Sequence, residues 1–250
     1  MPIEYKKEGP VAIFTINNPE VMNALTPDQL AAWTDTLLDF RDDRDLRVAI
    51  ITGAGDKAFC AGLNLSSSEE EIDFFPRNTL VRGLQLYKPL IAAINGYAFG
   101  GGLEIALACD IRIAAEQAQL GLTEVTLGII PGWGGTQRLP RIVPLGVAAQ
   151  MMMMGKRVSA REALEIRLVH EIVPPGDLMK TARTYAERFC ELAPLAVMGA
   201  KEVMLKGIDM SLEQGLELES LIDAKLIASK DFLEGRTAFA EKRKPDFKGK

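Results

Sequence analysis

The feature that most constrains the fold is a glycine-rich junction near the middle of the chain. An apolar run, Ile91–Ile94, has the composition of a buried strand and ends at the turn-forming pair Asn95 and Gly96. Residues 100–102 are all glycine, and an apolar run typical of a helix, Leu103–Cys109, begins directly after them. Because glycine has no Cβ, the backbone of such a turn can approach a ligand closely. The sequence therefore predicts a strand, a ligand-contacting turn and a helix in succession.

The start of the predicted helix also indicates the kind of ligand. The first N–H groups of a helix are unpaired and its dipole is positive there, so the turn can hold an oxyanion or a phosphate. Glu104 lies in the first turn of this helix, and Glu124 precedes another loop rich in glycine and proline. Two carboxylates beside an anion-binding turn can supply a general acid and a general base. The residues alone leave open that Glu104 only complements the helix dipole and that Glu124 is solvated.

The composition excludes several classes of protein. The chain has 250 residues, of which 48% are hydrophobic and 25% charged, as is typical of soluble globular proteins. Its net charge of −5 argues against general nucleic-acid binding, which requires a basic face. No apolar run is long enough for a transmembrane helix, and the first residues lack the pattern of a secretory signal peptide. We therefore expect no nucleic-acid partner, no membrane association and a cytoplasmic location.

The cysteines and the single histidine do not suggest a metal centre. Cys60, Cys109 and Cys190 lie in apolar surroundings without CxxC spacing, which predicts reduced, buried thiols. His170 stands among apolar neighbours, and we expect it to be structural. With one histidine there is no His/Cys zinc pattern, so no metal site is expected. The G-x-S-x-G elbow of serine hydrolases is also absent from the sequence.

Several elements can be predicted from their flanking residues. Ile3–Tyr5 and Val11–Ile16 have the pattern of a β-hairpin. Thr26 has the position of an N-cap, followed by proline at the first helical position, and predicts a helix to about residue 41. Ser159 and Glu162 form the pattern of a capping box at a later helix.

A run of helices is predicted after residue 174, where strand patterns disappear. The last predicted helix is amphipathic, and its leucines must pack on the core or on a partner. The three predicted helices are Asp177–Leu192, Pro194–Lys206 and Ser211–Ser229.

A competing hypothesis is a nicotinamide-dependent dehydrogenase. The run VAIITGAGDKA at residues 48–58 matches the G-x-G-x-x-A form of the dinucleotide fingerprint after a strand. That fingerprint requires a helix that begins at the glycines. Here the run FCAG follows at once, so the match is poor.

Longer motifs reveal a resemblance that covers almost the whole chain. They are NPEVMNAL at 18–25, AFCAGLNL at 58–65, NGYAFGGGLEIALACD at 95–110, LGLTEVTLGIIPGWGGTQRLPR at 120–141 and EGRTAFAEKRKPDF at 234–247. In this order they resemble the enoyl-CoA hydratase/isomerase (crotonase) family, and most closely an enoyl-CoA hydratase. The resemblance implies an α/β fold: a spiral core of β-β-α units, expected over 1–190, and a C-terminal helical trimerisation region, 191–250. It also implies a homotrimer, or a hexamer built as a dimer of trimers.

The resemblance further implies the chemistry of the site. The substrate would be an acyl-CoA thioester whose carbonyl oxygen is held by the backbone N–H groups of Leu63 and Gly101. Glu104 and Glu124 match the two catalytic glutamates of the family, and we assign them as base and acid. The implied reaction is the reversible hydration of a trans-2-enoyl-CoA to a 3-hydroxyacyl-CoA. Because CoA is part of the substrate, no separate cofactor is expected.

Other positions match the substrate contacts of the family. The residues expected along CoA are Ala61, Asn64, Leu65 and Lys242, although Asn64 replaces the usual aspartate and Lys242 could equally be part of a solvated basic cluster. For the acyl pocket the candidates are Phe74, Phe75 and Trp133, for each of which simple packing is the alternative. The two phenylalanines belong to a predicted helix that begins near Ser66 and continues to Tyr87, interrupted by Pro76.

Two further hypotheses remain open at this point. One is another enzyme of the same fold, either an enoyl-CoA isomerase or a hydratase of cyclic or branched acyl-CoA. The presence of both glutamates favours hydration over isomerisation. The other is a non-catalytic CoA-binding subunit, against which the intact glutamates and Gly101 argue.

Overall fold

The structure, a computed structural model, describes residues 3–65 and 78–250, whose strands form two sheets. The strands are β1 (Ile3–Glu8), β2 (Val11–Ile16), β3 (Val48–Gly53), β4 (Ala58–Cys60), β5 (Leu90–Ile94), β6 (Tyr97–Phe99), β7 (Ile111–Ala115), β8 (Gln119–Gly121), β9 (Val158–Ser159) and β10 (Glu171–Val173). The helices are α1 (Pro27–Asp42), α2 (Gly101–Ala108), α3 (Gly135–Ile142), α4 (Leu145–Met153), α5 (Ala160–Glu165), α6 (Leu178–Cys190), α7 (Pro194–Gly207), α8 (Leu212–Ile227) and α9 (Lys230–Glu241).

The chain alternates between the two sheets. The larger sheet has the strand order β1-β2-β3-β5-β7-β10, and the smaller sheet has the order β4-β6-β8-β9. Each of β3, β5 and β7 is followed in sequence by a strand of the smaller sheet, and β5 and β6 lead directly into α2. Apart from the β1–β2 and β8–β9 pairs, neighbouring strands run parallel. These repeated β-β-α units agree with the fold that the resemblance implies.

The larger sheet is buried on both faces, as expected for parallel strands covered by helices. Side chains alternate across a strand, so successive residues of β3 enter different cores. Ile51 belongs to a cluster with Trp33 of α1, whereas Ile50 belongs to a second cluster with Ala182 of α6. The sheet therefore forms a fixed layer between α1 and α6. The loops of the site described below follow β4, β6 and β8 of the smaller sheet.

Most elements predicted from flanking residues are confirmed. The N-terminal hairpin pairs β1 with β2 in antiparallel register. At the start of α1 the Gln29 N–H donates to Oγ1 of Thr26, and the Thr26 N–H donates to Oε1 of Gln29. Ser159 and Glu162 form the corresponding capping box at α5. Nδ1 of His170 accepts a hydrogen bond of 3.0 Å from the backbone N–H of Arg112, and the structural role of this histidine stays a prediction.

The dehydrogenase hypothesis is wrong. After β3 the chain forms β4 rather than a helix, so the helix that the dinucleotide fingerprint requires is missing from these described residues. Gly53 lies against the backbone of Ala58 and Phe59 and serves the close passage of β3 over β4. Gly53, the first glycine of the run that resembled a cofactor loop, is thus part of the packing between the two sheets.

Two other predictions need correction or remain open. Phe74 and Phe75 lie outside the described residues, as does the start of the helix predicted from Ser66. Within the described part of that prediction, residues 78–87 form turns and isolated bridges and no helix. The prediction that the helix reaches Tyr87 is therefore wrong.

The C-terminal helices largely match the prediction. α6, α7 and α8 are found where three helices are expected, and α9 follows as a fourth that the sequence pattern did not indicate. No residue of α8 is buried, and Leu212 and Leu221 are 80% and 64% exposed. The division at residues 190 and 191 stays a prediction. Among the helices that the structure describes, none is both long and apolar enough to span a membrane.

Candidate active site

The loop after β4 contacts the start of α2. Gly62 has φ +94°, a conformation that glycine adopts readily and other residues rarely do. A Cβ at this position would lie 2.8 Å from the backbone nitrogen of Gly101. The loop that carries Leu63 therefore touches the first residue of α2, as an arrangement of two converging backbone donors requires.

This loop is held by the segment after β2. The Leu25 N–H donates to the carbonyl of Gly62 at 2.8 Å, and the Asn64 N–H donates to the carbonyl of Leu25 at 2.9 Å. The Leu63 N–H lies between these two bonds. Among the described residues outside helices and strands, no backbone carbonyl accepts a hydrogen bond from it. Gly101 is the first residue of α2, so its N–H also has no partner within the helix.

Glu104 lies in the first turn of α2 and is 1% exposed. Its Oε1 accepts hydrogen bonds of 2.7 Å from the backbone N–H groups of both Trp133 and Gly135. Gly135 is the first residue of α3, so the positive end of a second helix faces the carboxylate. The side chain is thus fixed by donors from a loop distant in sequence.

The pKa of Glu104 reflects opposing influences. Burial raises the pKa of its carboxyl to about 7, and the charge of Glu124 acts in the same direction. The N–H groups of Gly135 and Trp133 lower this pKa, as does the guanidinium of Arg138. A carboxyl with a pKa near neutrality can both accept and return a proton at physiological pH.

Glu124 is the second buried carboxylate at this place. It begins a short 3-10 turn, Glu124–Leu127, and is 9% exposed. A Cβ on Gly100 would lie 3.3 Å from Oε1 of Glu124, so the carboxyl group lies beside the glycine turn. Burial raises the pKa of this group, and its Oε2 has no hydrogen-bond partner among the described residues. Such an orphaned oxygen suits a group that meets a ligand.

The indole ring of Trp133 covers Gly101. Its Cε3 and Cζ3 atoms occupy the space that a Cβ on Gly101 would need, and the side chain is 6% exposed. The same residue donates its backbone N–H to Glu104. Trp133 therefore links the glycine turn to the carboxylate through both its ring and its backbone.

The sequence profile of enoyl-CoA hydratase/isomerase matches residues 6–250. The chain belongs to the enoyl-CoA hydratase/isomerase family. An (E)-benzylidenesuccinyl-CoA hydratase of Thauera aromatica is 44% identical over 255 residues, which cover 100% of both chains. A short-chain-enoyl-CoA hydratase of Clostridium acetobutylicum is 42% identical over 246 residues, which cover 96% of this chain and 94% of that protein.

Solved structures of the enoyl-CoA hydratase/isomerase family have the same fold. The crystal structure of an enoyl-CoA hydratase from Bacillus anthracis is 43% identical and superimposes with a TM-score of 0.95, covering 100% of both chains. The crotonase-like α/β fold implied by the sequence motifs is therefore confirmed.

The structure brings together most residues that the family motifs pointed to. Leu63, Gly101, Glu104, Glu124 and Trp133 all belong to the contacts described above. Their roles in the reaction of this enoyl-CoA hydratase/isomerase stay predictions.

The expected CoA contacts divide into two places. The loop of Leu63 also contains Ala61, Asn64 and Leu65. Leu65 is 61% exposed. Lys242 instead lies at the C-terminal end of α9, where its backbone has φ 55° and its side chain is exposed. A role for Lys242 in CoA binding stays a prediction.

Sequence reasoning missed the groups that hold Glu104. The donors are the backbone N–H groups of Trp133 and Gly135, and Arg138 lies behind them. A signal was present, because a glycine pair directly before a helix offers free N–H groups to an anion. The sequence could not indicate that the anion is a side chain of the same protein.

Proposed function

We propose that this protein catalyses the reversible hydration of a trans-2-enoyl-CoA to a 3-hydroxyacyl-CoA, as an enoyl-CoA hydratase. The observation that carries this proposal is the pair of buried carboxylates, Glu104 and Glu124, at a glycine turn where α2 begins and its first N–H groups have no partner within the helix. Membership in a family whose members include two named hydratases at 42% and 44% identity supports it.

In the proposed reaction the thioester oxygen binds the N–H groups of Leu63 and Gly101. Glu104 removes a proton from water as the water oxygen attacks C3 and the C2=C3 double bond opens. The electron pair moves to the thioester oxygen as an enolate, which the two fixed N–H groups stabilise by about 3 kcal/mol each. Glu124 then gives a proton to C2, and exchange of one proton between the carboxyl groups and solvent restores the starting state.

The hydrogen bonds support this assignment of base and acid. Burial raises the pKa of both carboxyls, so together they favour one shared proton. The two N–H bonds that Glu104 accepts at the start of a helix favour its charged form and oppose the burial that raises its pKa to about 7. The buried, unpartnered oxygen of Glu124 is better suited to carry the proton. Adding water across a conjugated double bond needs no metal or redox group, so we propose no further cofactor.

Substrate contacts are part of the same proposal. Ala61, Asn64, Leu65 and Lys242 would bind CoA, and Trp133 would limit the acyl pocket together with Phe74 and Phe75. The ring of Trp133 supports this role because it lies against Gly101, next to the proposed position of the thioester. The two hydratase relatives name a short-chain and an aryl-substituted acyl group at nearly equal identity. Sequence identity to these relatives therefore does not indicate which acyl group this protein accepts.

We also propose that the protein acts as a homotrimer or a hexamer. α8 buries none of its residues, and Leu212 and Leu221 expose most of their apolar surface. Phe239 on α9 is 87% exposed. Apolar surface of this extent is typical of a contact between subunits. A cytoplasmic location is consistent with the free thiols of Cys60 and Cys109, both buried.

The test of the proposed reaction is product analysis by mass spectrometry in water enriched in heavy oxygen. Incubation with crotonyl-CoA or a longer trans-2-enoyl-CoA is expected to give a product heavier by one labelled water. A product of unchanged mass with a shifted double bond would identify an isomerase instead. Binding of enoyl-CoA without any product, across straight, branched and cyclic substrates, would support a non-catalytic subunit and contradict the proposal.

A further inference from the structure

The guanidinium group of Arg138 lies behind the loop that holds Glu104. Arg138 belongs to α3, and its Nη1 donates to the carbonyl of Trp133 at 3.0 Å. Its Nη2 donates to the carbonyl of Val81 at 2.8 Å. One planar group therefore joins the loop before α3 to the segment around Val81, with the fork geometry that only arginine offers.

The loop is shaped around this side chain. Gly134 has φ +103°, and a Cβ there would collide with Nη1 of Arg138. The backbone N–H of Arg138 also donates to the carbonyl of Gly134 at 2.8 Å. Gly134 is thus required both for its backbone conformation and for the space that the guanidinium occupies.

The same residue of the loop contacts both Arg138 and Glu104. The N–H of Trp133 donates to Oε1 of Glu104, and the carbonyl of Trp133 accepts from Arg138. Fixing the carbonyl of Trp133 restrains the loop that carries this N–H and that of Gly135. The charged groups that act on Glu104 are Glu124 and Arg138, of opposite sign. The position of Arg138 therefore affects both the orientation and the charge of the carboxylate.

We propose that Arg138 is a positioning residue for the reaction: it fixes the Trp133–Gly135 loop so that Glu104 stays aimed and ionised. The guanidinium of Arg138 donates to the carbonyls of Trp133 and Val81, so we infer that it acts through the loop. The inference rests on the proposed function, because aiming Glu104 has value only if Glu104 is the base. It goes further in that it connects the base, through Arg138, to the segment around Val81.

The test compares Arg138→Met and Arg138→Lys with the wild type and with Arg141→Met. Arg141 is the matched control, since it lies one turn further along α3, is exposed, and donates to Gln137 and to Asp209. The readouts are kcat, KM and the acid-side midpoint of kcat/KM with crotonyl-CoA. A further readout, which needs no turnover, is a carbon-13 NMR titration of the Glu104 carboxyl. Its signal is assigned by its absence from the spectrum of Glu104→Gln.

For Arg138→Met we expect kcat to fall about a hundredfold with KM changed only severalfold, as for a misplaced catalytic group. We also expect the midpoint of both titrations to move to higher pH, because a cation near the carboxylate has been removed. Arg138→Lys keeps the charge but not the fork, so its midpoint is expected to stay near that of the wild type while kcat falls about tenfold or more. Arg141→Met is expected to match the wild type.

A purely structural role would lower the stability without moving the midpoint of the folded protein. A folded Arg138→Met protein whose titration midpoint equals that of the wild type would therefore overturn the proposal. If Arg138→Met does not fold, a wild-type kcat in Arg138→Lys would overturn it. Failure of the proposed function is distinguishable, because it would appear as a wild type without turnover. In that case the NMR titration would still report whether Arg138 controls the ionisation of Glu104.

Discussion

Glu104 on α2 and Gly135 at the start of α3 are joined by a hydrogen bond of 2.7 Å from the backbone N–H to the carboxylate. The bond places the positive end of one helix against an acid carried by another. The Trp133 N–H donates to the same oxygen. A buried carboxylate is costly unless it is paired or hydrogen-bonded, and these donors let Glu104 ionise near neutral pH rather than remain permanently protonated.

The activity is predicted to depend on pH through this carboxyl pair. As the proposed base, Glu104 must be ionised, and burial raises its pKa to about 7. We therefore expect kcat/KM for crotonyl-CoA to rise with pH on the acid side, with a midpoint near 7, as a property of the coupled pair. A pH–rate profile at constant ionic strength measures this midpoint. A profile that is already flat at pH 5 would contradict the prediction.

The stability of the fold is predicted to depend on the same group. The pKa of Glu104 rises from 4.5, its ordinary value, to about 7 in the folded protein. The favourable contribution of Glu104 to the free energy of unfolding is therefore complete below pH 4.5 and is lost as the pH rises through about 7. The free energy of unfolding is measured with urea at one protein concentration. From pH 5 to pH 8, the free energy of unfolding of Glu104→Gln is expected to increase by up to about 3 kcal/mol relative to that of the wild type.

The matched control for this experiment is Glu165→Gln. Glu165 ends α5 and is exposed, so this variant removes one negative charge without touching the site. A difference between Glu104→Gln and the wild type that stays constant over this pH range would show that Glu104 ionises as freely in the folded protein as in the unfolded one.

The oxyanion loop is predicted to tolerate no side chain at Gly62. An alanine there must adopt φ +94° and would place its Cβ 2.8 Å from the nitrogen of Gly101. Displacement of either proposed donor is expected to lower kcat about a hundredfold or more. Gly9→Ala is the control, because Gly9 also has a positive φ but no atom of the described residues lies within 4 Å of its Cβ position. Equal kcat in the two variants would be evidence against the loop as an oxyanion hole.

The exposed apolar surface of α8 predicts an oligomer. Light scattering is expected to give three or six times the mass of one chain, with Leu221→Glu shifted toward smaller species, because a charge would be buried at the contact. Leu221 is 64% exposed in the single chain, so the substitution leaves the core intact. A wild type that stays monomeric at micromolar concentration would contradict the prediction.

Local signals in the sequence were sufficient for many elements. The capping residues Thr26 and Ser159 identify the starts of two helices because their bonds reach only three residues along the chain. The glycine turn at 100–102 was predictable for the same reason, as was the position of Glu104 in the following helix. These features depend on neighbours in sequence rather than on the packing of distant segments.

The arrangement around Glu104 could not be predicted in this way. Its donors lie 29 and 31 residues further along the chain, and no local pattern links them to the acid. Arg138 is part of the motif at 120–141, and nothing in that motif indicates its contact with the carbonyl of Trp133. The reverse error occurred at residues 78–87, where a helical pattern in sequence was overridden by isolated bridges such as that between Thr79 and Arg82.

The most direct test of the central claim compares hydration of crotonyl-CoA by the wild type, Glu104→Gln and Glu124→Gln. Loss of the enoyl-thioester absorbance measures the rate, and binding of CoA shows that each variant is folded. We expect each substitution to lower kcat by a hundredfold or more, because each removes a group that moves a proton. A Glu104→Gln or Glu124→Gln enzyme that keeps the wild-type rate would contradict the account.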